Sequence, residues 1–100
     1  MTDRELLEAA AKAAGLWDAR EQCIDIPWNP LFDDGDALRL AVKLGLEVYH
    51  SINNDRWSVF VGYPKDQRIV YVFDEWGDDE CAATRRAIVR AAASLGGKTE

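Results

Sequence analysis

Asp33, Asp34 and Asp36 crowd one short stretch of the chain, and Arg85, Arg86 and Arg90 crowd another. Carboxylates this close could hold a hard divalent cation through their oxygens, or share a proton in acid–base work. The spacing of a helix–loop–helix calcium site is absent, and nothing beside the aspartates in sequence supplies a nucleophile or raises a carboxyl pKa. Asp33 or Asp34 can instead cap a helix, with Asp36 in its first turn, where the helix dipole favours negative charge. Arg85 and Arg86 could grip a phosphate. An arginine fork equally suits a carboxylate, and pairing of Arg85 and Arg86 with Asp33, Asp34 or Asp36, with Arg39 balancing charge, is the expected use. These six residues therefore read as a structural polar network.

The other reactive groups are scattered. His50 shares a strand face with Val48 and Ile52, a setting for a hydrogen-bonded, half-buried residue. Ser58 and Thr84 lack the strand–turn–helix context of a nucleophile elbow, and Thr84 can return its hydroxyl to the backbone one turn earlier. Cys23, Cys81 and His50 give too few soft ligands for a zinc site and the cysteines make no disulfide framework, so both are expected as small buried residues. Gly96-Gly97 ends a helix rather than opening one, so no phosphate loop is present. No catalytic residue, metal site or cofactor is assigned.

Four tryptophans in 100 residues leave one that is hard to place in a core. Trp28, between Ile26 and Pro30, and Trp57, in line with Val59 and Val61, read as core anchors. Trp76 stands in the acidic run Asp74-Glu75-Trp76-Gly77-Asp78-Asp79. An aromatic ringed by carboxylates has the character of an interface anchor, and Tyr71 could extend that patch. Asp74, Glu75, Trp76, Asp78, Asp79 and Tyr71 are the candidate partner-binding residues.

The length of 100 residues suits a single domain spanning 1–100, and 48% hydrophobic residues suffice for one core. A formal charge of −6 argues against nucleic acid and against anionic membranes as partners. The opening stretch MTDRELLEAAAKAAG is not a signal peptide, and no apolar run reaches a membrane span. A cytoplasmic protein is the expectation.

The positioning elements follow from period and punctuation. A helix over 3–14 opens on a Thr2/Glu5 capping box, carries Leu6, Leu7, Ala10, Ala11 and Ala14 on one stripe, and stops at Gly15. Cys23–Ile26 could add a short edge strand before Pro27. A second helix over 34–44 has Ala37, Leu38, Leu40, Ala41, Val42 and Leu44 around more than half its circumference, which predicts burial on a wide face. Strands over 46–52, 56–63 and 68–73, joined by short turns, predict an antiparallel meander. The last two are apolar on both faces, so both faces of the sheet should be covered, by helices or by a second copy in a homodimer. A final helix over 79–95 places Thr84, Ala87, Ile88, Ala91 and Leu95 on one side and the arginines mostly away. The order is α-α-β-β-β-α in an α+β domain with a mainly antiparallel sheet of three or four strands.

Three strings, LLEAAAKAAG, WNPLFDDGDALRLAVKLG and ATRRAIVRAAASLG, resemble the phage ABA sandwich domain family of small bacteriophage and prophage proteins. The likeness spans nearly the whole chain, although the central strands carry little of it. Phe32 stands where a small polar residue is expected, which leaves the helix cap to Asp33. The resemblance implies a three-layer α/β/α sandwich and a phage origin, and it brings no activity with it. Together with the missing catalytic set and the surplus aromatics, it favours a non-enzymatic module that binds a host or phage protein and modulates a host process or host defence. A structural accessory homodimer is the alternative, and a metal-dependent enzyme ranks behind both.

Overall fold

A computed structural model of the chain describes residues 2–24, 26–53, 56–64, 74–75 and 79–96. Helix α1 spans Asp3–Ala14 and strands β1 (Trp17–Asp18) and β2 (Cys23–Ile24) follow. Helix α2 spans Asp34–Leu44, strands β3 (Glu47–Asn53), β4 (Arg56–Gly62) and β5 (Asp74–Glu75) come next, and α3 spans Glu80–Gly96.

Local chemistry sets the helix ends. At α1, the Glu5 amide donates to the Thr2 hydroxyl at 3.2 Å and the Thr2 amide donates to the Glu5 carboxylate at 3.2 Å. Each satisfies an amide that the helix leaves without a partner. Gly15 closes α1 at φ 73° and Gly45 closes α2 at φ 67°, a left-handed conformation that a Cβ disfavours. Asp33 caps α2 by accepting from the Asp36 amide at 2.8 Å. Asp79 does the same for α3, accepting from Ala82 at 3.0 Å.

Strands β3 and β4 form an antiparallel pair, with His50 opposite Val59 and Val48 opposite Val61. The two-residue β5 lies along the other edge of β4 and pairs Asp74 with Val59. The third strand expected at 68–73, and the turn at 54–55, lie outside the described residues. The segment near Cys23 is not an edge of this sheet. It pairs with Trp17–Asp18 in a separate ribbon. Asp18 Oδ1 accepts from the Arg20 and Glu21 amides, and Gln22 takes a positive φ of 55°. Lys12 sits 5.0 Å over the Trp17 ring and ties the ribbon to α1.

Helix α3 is the centre of the packing. It lies against α1, α2 and β4, and Ala87, Ile88, Val89, Ala91, Ala92 and Ala93 are all buried. Small side chains make this possible, because α1 brings Ala10 and Ala14 to the cluster that holds the α3 alanines and the two backbones can approach closely. Leu31, Ala37, Leu40, Ala41, Val59 and Val61 complete one core cluster, and Trp28, Leu46 and Val48 pack at its edge.

The resulting layers differ from a three-layer sandwich. Val59 and Val61 carry one sheet face into the helix core. On the other face Ser58 is buried and Phe60 half-buried, but Tyr49 and Ser51 stand exposed on β3. Among the described residues, the helices pack on one side of the sheet and no helix covers Tyr49 and Ser51. The doubly apolar strand pattern predicted cover on both faces, and it is uneven here because β4 is the inner strand and β3 an edge. The wide buried face expected for α2 is also corrected. Ala37, Leu40 and Ala41 are buried, whereas Leu38 is 64% and Val42 73% exposed. A helix at the margin of a layer touches its neighbours along one stripe only.

The small-residue seam gives a direct test. Replacing Ala10 with Leu should overpack it and lower stability by about 1–3 kcal/mol, read as a lower urea midpoint with little change in slope.

Candidate functional site

The string from Trp28 to Arg39 folds into a knot of polar contacts at the start of α2. Pro30 is fully buried and Leu31 is buried beside it. The Asn29 carbonyl accepts from the Phe32 and Asp33 amides, and the Asn29 amide donates to Asp36 Oδ2 at 2.9 Å. Arg39 Nη2 donates to Asp36 Oδ1 at 2.7 Å and stands 3.8 Å from Asp33 Oδ2. Gly35 leaves room for this arrangement, since a Cβ there would meet Arg39 Nη1, Arg39 Nη2 and Asp33 Oδ2 at 3.2 Å. The Asn29 amide, and next the Arg39 guanidinium, hold the Asp36 carboxyl below its ordinary value.

Arg85 joins α3 to this knot. Its Nε donates to the Leu31 carbonyl at 2.9 Å and its Nη1 to Asp34 Oδ1. The Arg85 side chain is only 15% exposed, so it turns inward rather than lying with the other arginines away from the core. Arg86 takes no part in this cluster. It reaches Asp3 on α1 at 3.5 Å. Asp33 thus commits Oδ2 to a cap, Asp34 commits Oδ1 to a guanidinium, and Asp36 uses both oxygens, on a loop amide and on Arg39. Among the described residues, no three histidine, cysteine or acidic side chains come together as a group that could hold a metal.

Next to this network a cavity of about 370 Å³ opens between α2, β3 and α3. Ala37, Leu38, Ala41, Val48 and Ile88 give it apolar walls, and Asp34, Glu80, Cys81, Thr84, Arg85 and His50 border it, although the surface that faces the cavity is almost wholly apolar. Pockets of this size and character suit a ligand or an anchoring side chain. Leu38 and Val42, one helical turn apart, extend apolar surface from the cavity along exposed α2.

Two polar lining residues meet directly. Thr84 Oγ1 donates to the Glu80 carbonyl at 2.8 Å and lies 2.9 Å from His50 Nε2, which donates to it in the tautomer protonated at Nε2. His50 is an exposed residue and not half-buried, because it sits on the edge strand. Both cysteines are exposed too, Cys23 in the ribbon and Cys81 in the first turn of α3, which corrects their expected burial.

The remaining sequence candidates fall unevenly. Trp28 is half-buried against the core. Trp57 belongs to β4 opposite Ile52, with its side chain outside the described part. Asp74 and Glu75 form β5, Asp79 caps α3, and Tyr71, Trp76 and Asp78 lie outside the described residues. Sequence reasoning missed the cavity and the exposed stripe of α2. The only signal was that Leu38 and Val42 widen the apolar arc beyond the Ala37, Leu40 and Ala41 stripe that is buried. Compared with known protein families, with curated proteins and with solved structures, the chain finds no match. No described helix is long and apolar enough to cross a membrane.

The two halves of the Arg85 contact should separate on mutation. Arg85→Ala leaves the Leu31 carbonyl without its donor and should lower stability by about 1–3 kcal/mol. Asp34→Asn removes a mostly exposed partner and should lower it by at most about 1 kcal/mol; equal losses in urea unfolding would contradict this division. Asp36 supplies a pH test. A lowered folded-state pKa stabilises the fold above the unfolded-state value, and that gain disappears as pH falls through the folded value. Wild-type stability should therefore drop more steeply below about pH 4 than that of Asp36→Asn, measured by thermal melts across pH.

Proposed function

We propose that this chain is a small non-enzymatic protein-binding module whose partner seats an apolar side chain in the cavity between α2, β3 and α3. The observation that carries this reading is the exposed pair Leu38 and Val42 beside an apolar-walled cavity. Burying exposed apolar surface of this kind is what a partner contributes. The engagement of the three aspartates in capping and pairing speaks against metal chemistry at the same place. The acidic run ending at Asp79 leads directly into Glu80 and Cys81 of the cavity lining, so Trp76 and its neighbours are natural second contacts for the same partner.

The helix strings shared with phage ABA sandwich proteins support a phage or prophage origin. On that reading the partner is a host or phage protein met in the bacterial cytoplasm, and the module acts on a host process or on host defence.

Immobilised wild type and a Leu38→Glu/Val42→Glu variant should retain different proteins from a bacterial lysate. A protein held by the wild type and lost by the variant is the expected result, with the two unfolding free energies within about 0.5 kcal/mol because both positions are exposed. Retention of the same proteins by both would sink the assignment of α2 as the binding face.

A further inference from the structure

We propose that the α2–β3–α3 cavity selects a partner segment in which an apolar side chain is flanked by lysine or arginine; this rests on the protein-binding reading above and names the chemistry of its partner. The argument begins with what the cavity lining shows to solvent. Its charged members are Asp34, Glu80 and Arg85. Arg85 is drawn inward to Leu31 and Asp34, whereas the Asp34 side chain is 72% exposed and Glu80 is exposed. The guanidinium is spent on the Leu31 carbonyl and on one Asp34 oxygen, so the exposed charge bordering the apolar mouth is that of Glu80 and of the other Asp34 oxygen.

Each mouth carboxylate has capacity to spare. Asp34 uses Oδ1 toward Arg85, and a carboxylate accepts several hydrogen bonds. It is the backbone carbonyl of Glu80, and not its carboxylate, that receives the Thr84 hydroxyl. Inside the mouth the walls are Ala37, Leu38, Ala41, Val48 and Ile88, which offer an apolar group contact and no charge. An incoming leucine or phenylalanine with a cation one helical turn away meets apolar wall and carboxylate together. An acidic segment would instead face two exposed carboxylates in a chain of net charge −6.

The same charges weigh against a second copy as occupant. A two-fold contact sets a patch against itself, so Asp34 and Glu80 would confront their own counterparts.

The test uses the full chain, isotopically labelled, with three synthetic helical peptides as probes. One carries leucines one turn apart with lysines beside them, the second has glutamates in place of the lysines, and the third has alanines in place of the leucines. The lysine–leucine peptide should shift the amide signals of Ala37, Ala41, Val48, Thr84 and Ile88, and should bind roughly tenfold tighter than the glutamate peptide, less so at high salt. The alanine peptide should leave those signals in place. Glu80→Gln should weaken the lysine peptide by about two- to fivefold, and its unchanged spectrum elsewhere would show that the fold is intact.

Equal or tighter binding of the glutamate peptide at the same residues would overturn the cation requirement while leaving the protein-binding reading standing. No shift from the lysine–leucine peptide at millimolar concentration would overturn the proposed occupant. A concentration-dependent rise in mass by light scattering, with the same amides moving, would put a second copy there and overturn it as well. Failure of the underlying reading shows separately, as lysate capture indifferent to Leu38 and Val42.

Discussion

One guanidinium fixes the distance between two helices. Arg85 leaves α3 and ends on the Leu31 carbonyl and the Asp34 carboxylate, so it ties the third helix to the loop before α2 and to the first turn of α2. The cavity lies beside this contact, and Asp34 and Arg85 are both part of its lining. Without the tether, apolar packing would tend to close the space between α2 and α3, since Ala37, Ala41 and Ile88 gain more from touching one another than from facing water. The carbonyl contact is the stronger half. It is sheltered, and its loss strands a backbone acceptor, whereas the carboxylate contact is exposed to solvent and screened by salt.

The tether works only because its far end is itself rigid. The Asn29 carbonyl collects two amides, its own amide is held by Asp36, and Arg39 holds Asp36 in turn. Pro30 is buried and has no amide to satisfy. A string with tryptophan, asparagine, proline, glycine and three aspartates resembles a site from composition alone. Its physical content is a loop whose backbone polar groups find partners inside the chain, with Asp36 held at both oxygens and Asp33 and Asp34 at one each.

Legibility in the sequence followed the range of the interactions. The three helices and the β3–β4 pair could be read from hydrophobic period, and the caps at Thr2, Gly15, Asp33 and Gly45 from residues a few positions apart. Pairings between distant elements were harder. Arg85 to Asp34 could be guessed from opposite charges on two helices, but Arg86 to Asp3 depends on α1 lying beside α3, which no local pattern states. The exposure of Leu38 and Val42 was misread because helical period shows that residues are apolar and leaves open whether a neighbour covers them. Two-residue strands such as β1 and β2 carry no period at all, and their ribbon is held by the Asp18 carboxylate and a left-handed Gln22. Among the described residues the one-sided helix layer followed from packing order, with alanine-rich α3 taking the central place that a symmetric sandwich gives to the sheet.

That central alanine helix also bears on why α2 can afford exposed apolar residues. Most of the helix core rests on α1, α3 and β4, where Ala10, Ala92, Val59 and Val61 are fully or almost fully buried. Helix α2 adds Ala37, Leu40 and Ala41 from one side, and its outer leucine and valine contribute nothing to that core. Residues free of a packing role can be shaped by what they meet outside the chain. On the binding reading proposed above, the exposed carboxylates of Asp34 and Glu80 would make that surface selective without adding to its stability, because like-charged partners are turned away before apolar contact forms. The fold therefore separates two sets of residues: buried alanines, valines and the Arg85 tether keep the helices in place, and the exposed edge of α2 takes no part in that work, which is what the proposed recognition role requires.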